Sequence, residues 1–586
     1  MLQPANSDHA APLSKPTHSL AVTNIGWVRV QMTIRVLLTR CDNEPLRNAE
    51  QNITFQLVDG LRTLPAPATS EGAGVYALHL NVTAFAGRSA IPDGIWRIQA
   101  LLDNQGGPVA SYDGRALERL DDASRVFLFN ANQSALTVSY DIAENADQLD
   151  FLLRSFLLSR SPIASEHPLS PKRLYEKFFG MAAKQHYARW IFDAFTRLVG
   201  PTPGRILFAS DRRGNTEGNL QRVHERMVER GLDKKFDLRT SFRLPHTTRW
   251  SSTIHILYLI ATSEIVLLDD YFPMLEGLKV DPRKRIIQLW HAGSGFKSVG
   301  FSRFGRQDSP NLWDAHRYYT YAIAGSVNLV PVYAEVFGIE ESAVIPTGLP
   351  RVDLFLDEER TRTFVSGFYS AHPELRDKRI ILFAPTYRGS DIENAFYDYS
   401  LIDFDALYEA CGPDTVVLFR MHHFVKNEVP IPEQHQERFF DFTRFEDGLR
   451  LLHVTDLLIT DYSSIIYEYS LLDRPMLFFA PDEVNYAAVN GFHRPYDETA
   501  PGRVCTTFED LIDAISSREY EQSKVSRFRA ENFDRIDTGA ADRVIDWLIL
   551  GDPRNAFHEN SARDDELEGS THESKTVDLS QEDERT

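Results

Sequence analysis

From Gly204 to Leu550 the chain repeats one local pattern: a short run of Val, Ile, Leu and Phe, a polar turn, then a stretch of helical period. The runs are RILFAS, EIVLLDD, RIIQLWH, YAIAG and SAVIPTG. After a charged spacer near Asp357 to Lys378 come RIILFAPT, TVVLFRM, DLLIT and PMLFFA. Each reads as a buried strand, and strands alternating with helices such as LQRVHERMVERG imply parallel sheets covered on both faces. Two such sets predict two doubly wound domains, 201–360 and 361–550, with a cleft between them.

The rest of the chain reads differently. Residues 1–19 are rich in Pro, Ser, Ala and His and read as a flexible leader. Within 20–145, WVRVQMTIRVLL, NITFQLVDG, VYALHLNV, WRIQALLD, SRVFLFN and ALTVSYDI alternate between turn residues, which predicts a small all-β sandwich with an accessory role. Residues 146–200 take a helical period as a linker. In 171–199, Leu174, Phe178, Met181, Ile191, Phe195 and Leu198 fall near one stripe. Lys172, Arg173, Lys177, Lys184, Arg189 and Arg197 stand elsewhere, opposed by Glu176 and Asp193. Two readings stay open: a core-packing helix with a solvated basic face, and an amphipathic helix lying on an anionic membrane. Residues 551–586 hold eleven acids against four Lys or Arg and read as a disordered tail.

A net charge of -20 argues against broad capture of nucleic acid. Three scattered cysteines, Cys41, Cys411 and Cys505, fit a reducing compartment and carry no metal-ligand spacing. With no secretory signal and no long apolar stretch, the expected location is cytoplasmic, or peripheral on the cytoplasmic face of the membrane.

In open parallel sheets ligands bind beyond the carboxyl ends of strands, which singles out four segments. In RIIQLWHAGSGFKSVG, His291 leaves a strand and is followed by Gly293, Gly295 and Lys297; a neutral imidazole there suits proton removal from an alcohol. In ILFAPTYRGS, Arg388 is placed to fork onto a phosphate. In VVLFRMHHF, His422 and His423 alternate, so only one faces the cleft, where it would stabilise charge beside a diphosphate. In DLLITDYSSIIYEYS, Asp461 ends a strand and Ser463 and Ser464 open a helix, a setting for an anion. Glu468, one turn on, is placed to reach a ribose hydroxyl. No Asp/His cluster has metal-ligand spacing, so neither a metal nor a cofactor is expected.

Taken in order, LWHAGSGFKSVG, TGLPRVDLF, LFAPTYRG, FRMHHF and TDYSS with DRPMLFFAPD resemble the CDP-glycerol glycerophosphotransferase family, as do the later PGRVCTTFEDLIDAI and DTGAADRVIDWL. The resemblance covers about Gly204 to Leu550. It implies a GT-B-like pair of Rossmann-type domains, a CDP-polyol donor and a lipid-linked wall-polymer acceptor. It also implies His291 as the base on the acceptor hydroxyl, with His422, Ser463, Ser464, Asp461 and Arg543 near the donor. The chain has Ala292 where some members have Gly. The expected reaction is transfer of a polyol phosphate, glycerol phosphate foremost and ribitol phosphate next, with release of CMP. Two rivals stay open: a nucleotide-sugar glycosyltransferase on the same scaffold, and a non-catalytic polymer-binding protein.

Overall fold

The computed structural model describes residues 18–551 apart from 41–51, 61, 86–87, 113–122, 146–147, 160–180, 212–213, 215–216, 244–249, 292, 294, 307–308, 390–393 and 490. The leader before His18, the acidic tail, the 171–180 part of the basic helix and Ala292 lie outside the described residues. Contacts divide the chain into two compact units: one from 1–170, 298–317 and 334–340, the other from 171–297, 318–333 and 341–586.

The first unit carries an 11-stranded sheet. It is antiparallel except where His18–Val28 runs parallel to Gln105–Tyr112. In Gln31–Arg40 the side chains of Met32, Ile34, Val36 and Leu38 point inward at every second position, the period of a strand with one buried face. The run WVRVQMTIRVLL turns at Arg29, whose φ is 56°, and so makes the ends of two strands, not one. Strands Gly94–Leu102, Gln105–Tyr112 and Gln148–Ser159 all pair with one another, so the sheet closes on itself locally. Trp96, Phe129 and Phe151 fill the core with Phe301 and Phe304 of the inserted segment.

One expectation needs correction here. The stretch after Asp147, read as helical, opens with the strand Gln148–Ser159, paired along its length with Ser134–Asn145. DFLLRSFLLS suits either period in isolation; the partner strand decides.

The second unit holds two six-stranded parallel sheets. The first runs in the order Asp237–Phe242, Arg205–Ser210, Ile265–Leu268, Arg285–Gln288, Tyr321–Ile323, Val344–Ile345. The second runs Phe439–Asp441, Thr415–Phe419, Arg379–Phe383, Leu457–Thr460, Met476–Phe479, Arg503–Cys505. Alternation sends Ile380 and Leu382 into one core and Ile381 and Phe383 into another. The first of these cores is continuous with Ile206, Phe208 and Leu267 of the other sheet, so both halves share it.

Two helices tie the ends of this unit. Met181–Leu198 packs on Trp250–Thr262 through buried Phe192 and an edge contact of Phe195 with Tyr258 at 5.4 Å. The last turns, from Ala540 to Leu550, return to the first half. There Asp542 pairs with Arg226 and Arg230 at 3.0 Å, and Leu548 accepts a bond from Arg285 at 2.8 Å.

Candidate active site

In the second sheet the strand order reverses between Arg379–Phe383 and Leu457–Thr460, and a crevice opens beyond such a reversal. The loops leaving these two strands meet there. Asp461 accepts the backbone N–H of Thr386 at 2.8 Å, and Thr460 donates its hydroxyl to the Ala384 carbonyl at 2.7 Å. Arg388 forks onto Asp482 at 2.6 and 2.9 Å, reaches Asp461 at 3.0 Å, and lies over the rings of Tyr462 and Tyr486. Burial works against its charge, but Asp461 and Asp482 outweigh burial and hold the guanidinium firmly protonated. The phosphate fork expected of Arg388 is therefore already engaged by carboxylates, and the residue acts as a clamp on the crevice wall. Asp482 itself stays ionised: burial would raise its pKa, and Arg388 overcomes this.

Ser463 and Ser464 stand half-buried where Ile465–Ser470 begins. Ser463 accepts the N–H of Ile465 at 3.4 Å, whereas Ser464, in the N-cap position, makes no side-chain cap bond. Helix capping thus leaves the Ser464 hydroxyl unused.

His422 leaves the neighbouring strand half-buried, 4.8 Å from the Tyr387 ring, while His423 is exposed. Its Nδ1 accepts the Phe424 N–H at 3.3 Å. Burial, then the nearby His423, Lys297 and Arg420 charges, push its pKa down to about 4. The ring is neutral near pH 7, and with Nδ1 accepting, its proton sits on Nε2 as a donor.

The first half contributes the loop that carries His291. His291, one-third exposed, sits beyond Arg285–Gln288, with Nδ1 3.2 Å from the Asp269 carbonyl and 3.5 Å from the Asp270 carboxylate. A carbonyl only accepts, so Nδ1 carries the proton and Nε2 is the basic nitrogen. The two imidazoles hold complementary tautomers: His291 can take a proton through Nε2, and the neutral His422 can donate a hydrogen bond, not a proton, from Nε2–H.

The His291 loop packs on the serine helix. A Cβ on Gly293 would lie 2.4 Å from the Tyr467 ring, so only glycine fits; Gly295 has a φ of 107°, which glycine alone adopts without strain. Phe296 accepts the His493 N–H at 3.1 Å, and Lys297 forms a β-bridge with Phe492. The Lys297 ammonium lies 5.5 Å from the centre of the Tyr486 ring. Burial pushes its pKa down to about 8, against the pull of Asp461. A cation of the first half thus enters the crevice of the second.

Besides Arg388, two more expected site residues sit in different roles. Glu468 is 0% exposed and ion-paired with Arg351, so it does not face a ribose. Arg543 forks onto Asp537 at 2.9 and 2.8 Å and donates to the Thr347 carbonyl at 2.6 Å, which fixes the turn before Arg351. Asn219, Asp269, Asp270, Arg351 and Asp482 were not singled out in the sequence; Arg351 lay in plain view within TGLPRVDLF. Among the described residues no group of three or more His, Cys, Asp or Glu is arranged to hold a metal, and no helix is long and apolar enough to cross a membrane.

The family described as CDP-Glycerol:Poly(glycerophosphate) glycerophosphotransferase matches residues 192–550, more than half of the sequence. The chain belongs to this family. A similar protein is the teichoic acid poly(ribitol-phosphate) polymerase of Bacillus spizizenii, 38% identical over 368 residues, 62% of this chain and 58% of that protein. The chain therefore spans less than two thirds of that polymerase. The teichoic acid ribitol-phosphate primase of the same organism is 32% identical over 374 residues, 61% of this chain and 94% of the relative. A solved structure of the wall teichoic acid polymerase TagF aligns with a TM-score of 0.50 at 21% identity, over 64% of this chain and 95% of that one. That likeness concerns the mixed α/β fold.

Proposed function

We propose that this glycerophosphotransferase-family member transfers a polyol phosphate from a CDP-polyol to the terminal hydroxyl of a teichoic-acid-like polymer, releasing CMP. The complementary tautomers of His291 and His422 support this reading, together with Lys297, six residues after His291, whose charge acts on the His422 ring. His291 Nε2 takes the proton of the acceptor hydroxyl, and the alkoxide oxygen bonds to the phosphorus that carries the polyol. The bond from that phosphorus to the bridging oxygen breaks, and the electron pair leaves with CMP. His422 Nε2–H, the Ser463 and Ser464 hydroxyls and the Lys297 ammonium stabilise the negative charge on the diphosphate as it separates. Asp461 and Arg388 hold the loops that present these groups. No metal or cofactor enters this scheme.

Both curated relatives described above are named for ribitol phosphate, which favours CDP-ribitol over the CDP-glycerol expected from sequence. The two parallel-sheet halves are read as a GT-B-like pair, and the all-β region as an accessory sandwich. Peripheral attachment to the cytoplasmic face of a membrane is supported by the helix Met181–Leu198, which leaves Trp190 70% and Leu198 84% exposed. Exposed aromatic residues suit a lipid–water boundary.

A donor screen tests the reading. Purified protein with a lipid-linked polymer acceptor is expected to release CMP from CDP-ribitol, more slowly from CDP-glycerol, and nothing from nucleotide sugars. Turnover of a nucleotide sugar alone would support the glycosyltransferase instead, and binding of polymer without turnover of any donor the non-catalytic reading.

A further inference from the structure

The segment TGLPRVDLF contributes one side chain that the reaction scheme leaves unexplained. Arg351 is enclosed where three elements converge. Its backbone N–H donates to Asn219 Oδ1 at 2.8 Å, its guanidinium donates to the main-chain carbonyl of His291, and the same guanidinium is ion-paired with the fully buried Glu468. Asn219 is itself 1% exposed and donates its amide to the carbonyls of Leu289 and Trp290, both at 2.8 Å. Trp290 has a φ of 54°, a left-handed conformation that a bulky residue holds only when its surroundings impose it. Its N–H is held too, by Gln288 Oε1 at 2.9 Å.

The carbonyls of Leu289, Trp290 and His291 and the N–H of Trp290 are therefore held, and the anchor at the far end is Glu468. Glu468 lies on Ile465–Ser470, the helix that opens at Ser463 and Ser464. The pair spans from the loop of the base to the helix of the phosphate-side hydroxyls. We propose that Arg351, anchored by Glu468 and Asn219, is a positioning residue that holds the strained Trp290–His291 turn so that the imidazole stands in register with the Ser463–Ser464 helix.

This inference rests on the reaction proposed above, and the distinction from a merely structural ion pair is experimental. Removing one partner of a buried pair leaves an uncompensated charge, whereas replacing both with apolar residues of similar size restores packing. Arg351→Met and Glu468→Met are expected to lower the unfolding midpoint singly. The double variant R351M/E468M is expected to return close to the wild-type midpoint. Its kcat for acceptor-dependent CMP release is expected to stay at least about 30-fold down, because the imidazole is no longer held in place. Its Kd for CDP-polyol, measured by calorimetry, is expected to remain within about threefold of wild type, since the groups facing the donor are kept. Arg351→Lys retains the buried charge, and with it the fold, but reaches only one acceptor; an intermediate kcat is expected. A double variant with wild-type kcat, an R351K enzyme indistinguishable from wild type, or a loss confined to donor affinity overturns the proposal. If the wild-type protein transfers no polyol phosphate from any CDP-polyol, the reaction itself is misassigned and this role falls with it; an active wild type beside a fully active double variant removes this role alone.

Discussion

Substituting Gly293 by alanine probes how closely the base loop is seated. The new Cβ would stand 2.4, 2.4 and 2.5 Å from three atoms of the Tyr467 ring, against an ordinary contact of roughly 3.4 Å or more. A displacement of about 1 Å is required. Tyr467 cannot supply it: the ring is 1% exposed and packs on Phe528 at 5.1 Å, so the loop carrying His291 must move. Overpacking of this kind costs about 1–3 kcal/mol of stability. A misplacement near 1 Å of a group that acts on the reacting atoms costs on the order of 100-fold in rate. G293A is therefore expected to unfold at lower denaturant and to release CMP about 100-fold more slowly under saturating donor. G293A/Y467A, which removes the obstructing ring, is expected to recover part of the rate lost by G293A. A G293A protein with wild-type kcat and an unchanged denaturation midpoint would refute the reasoning, since it would mean that the loop and the helix are not in contact when the enzyme works.

The Lys297 pKa is lowered to about 8, so its positive charge is present below that pH and lost as pH rises through it. The pH profile of kcat/KM is expected to fall above about pH 8, and K297R, which stays charged, is expected to lose that alkaline limb; an identical limb in K297R contradicts the assignment. S463A and S464A each remove one hydroxyl from the diphosphate side, a charge-assisted bond of about 1.5–3 kcal/mol, so donor Kd should rise roughly 10–100-fold by calorimetry. Donor binding left untouched in the double variant contradicts a phosphate site there. Vesicles of anionic lipid are expected to carry the protein upward in flotation, and W190E, at a side chain 70% exposed, to abolish this while leaving soluble-acceptor turnover intact; equal flotation of W190E rules out that surface.

The central strands of both parallel sheets were legible because burial on two faces leaves uninterrupted apolar runs such as RIILF and LLIT. Of the four edge strands, Val344–Ile345, buried at both positions, was legible in SAVIPTG, whereas Asp237–Phe242, Phe439–Asp441 and Arg503–Cys505 were not, because each carries partly exposed or polar positions that break an apolar run. The strand Gln148–Ser159 was hidden by a sequence that fits two periods, which only its antiparallel partner resolves. The placement of His291, His422 and the paired serines just past strand ends was readable from the sequence. The partners that define their chemistry were not. Arg388 and Asp482 are 94 positions apart, and Arg351 finds Glu468 from the other half of the unit, so neither pair leaves a local pattern. A cation read alone as a phosphate ligand and a carboxylate read alone as a ribose ligand turned out to neutralise buried charges. The tautomer of His291, set by the Asp269 carbonyl, is likewise a property of two chain segments brought side by side.

Proton removal by His291 Nε2 is the central step of the proposed transfer, and a single-turnover comparison of wild type with H291Q tests it most directly. With CDP-ribitol and acceptor present, H291Q is expected to form CMP about 100- to 10,000-fold more slowly while binding the donor within about twofold of wild type. CMP formation by H291Q at close to the wild-type rate would contradict it.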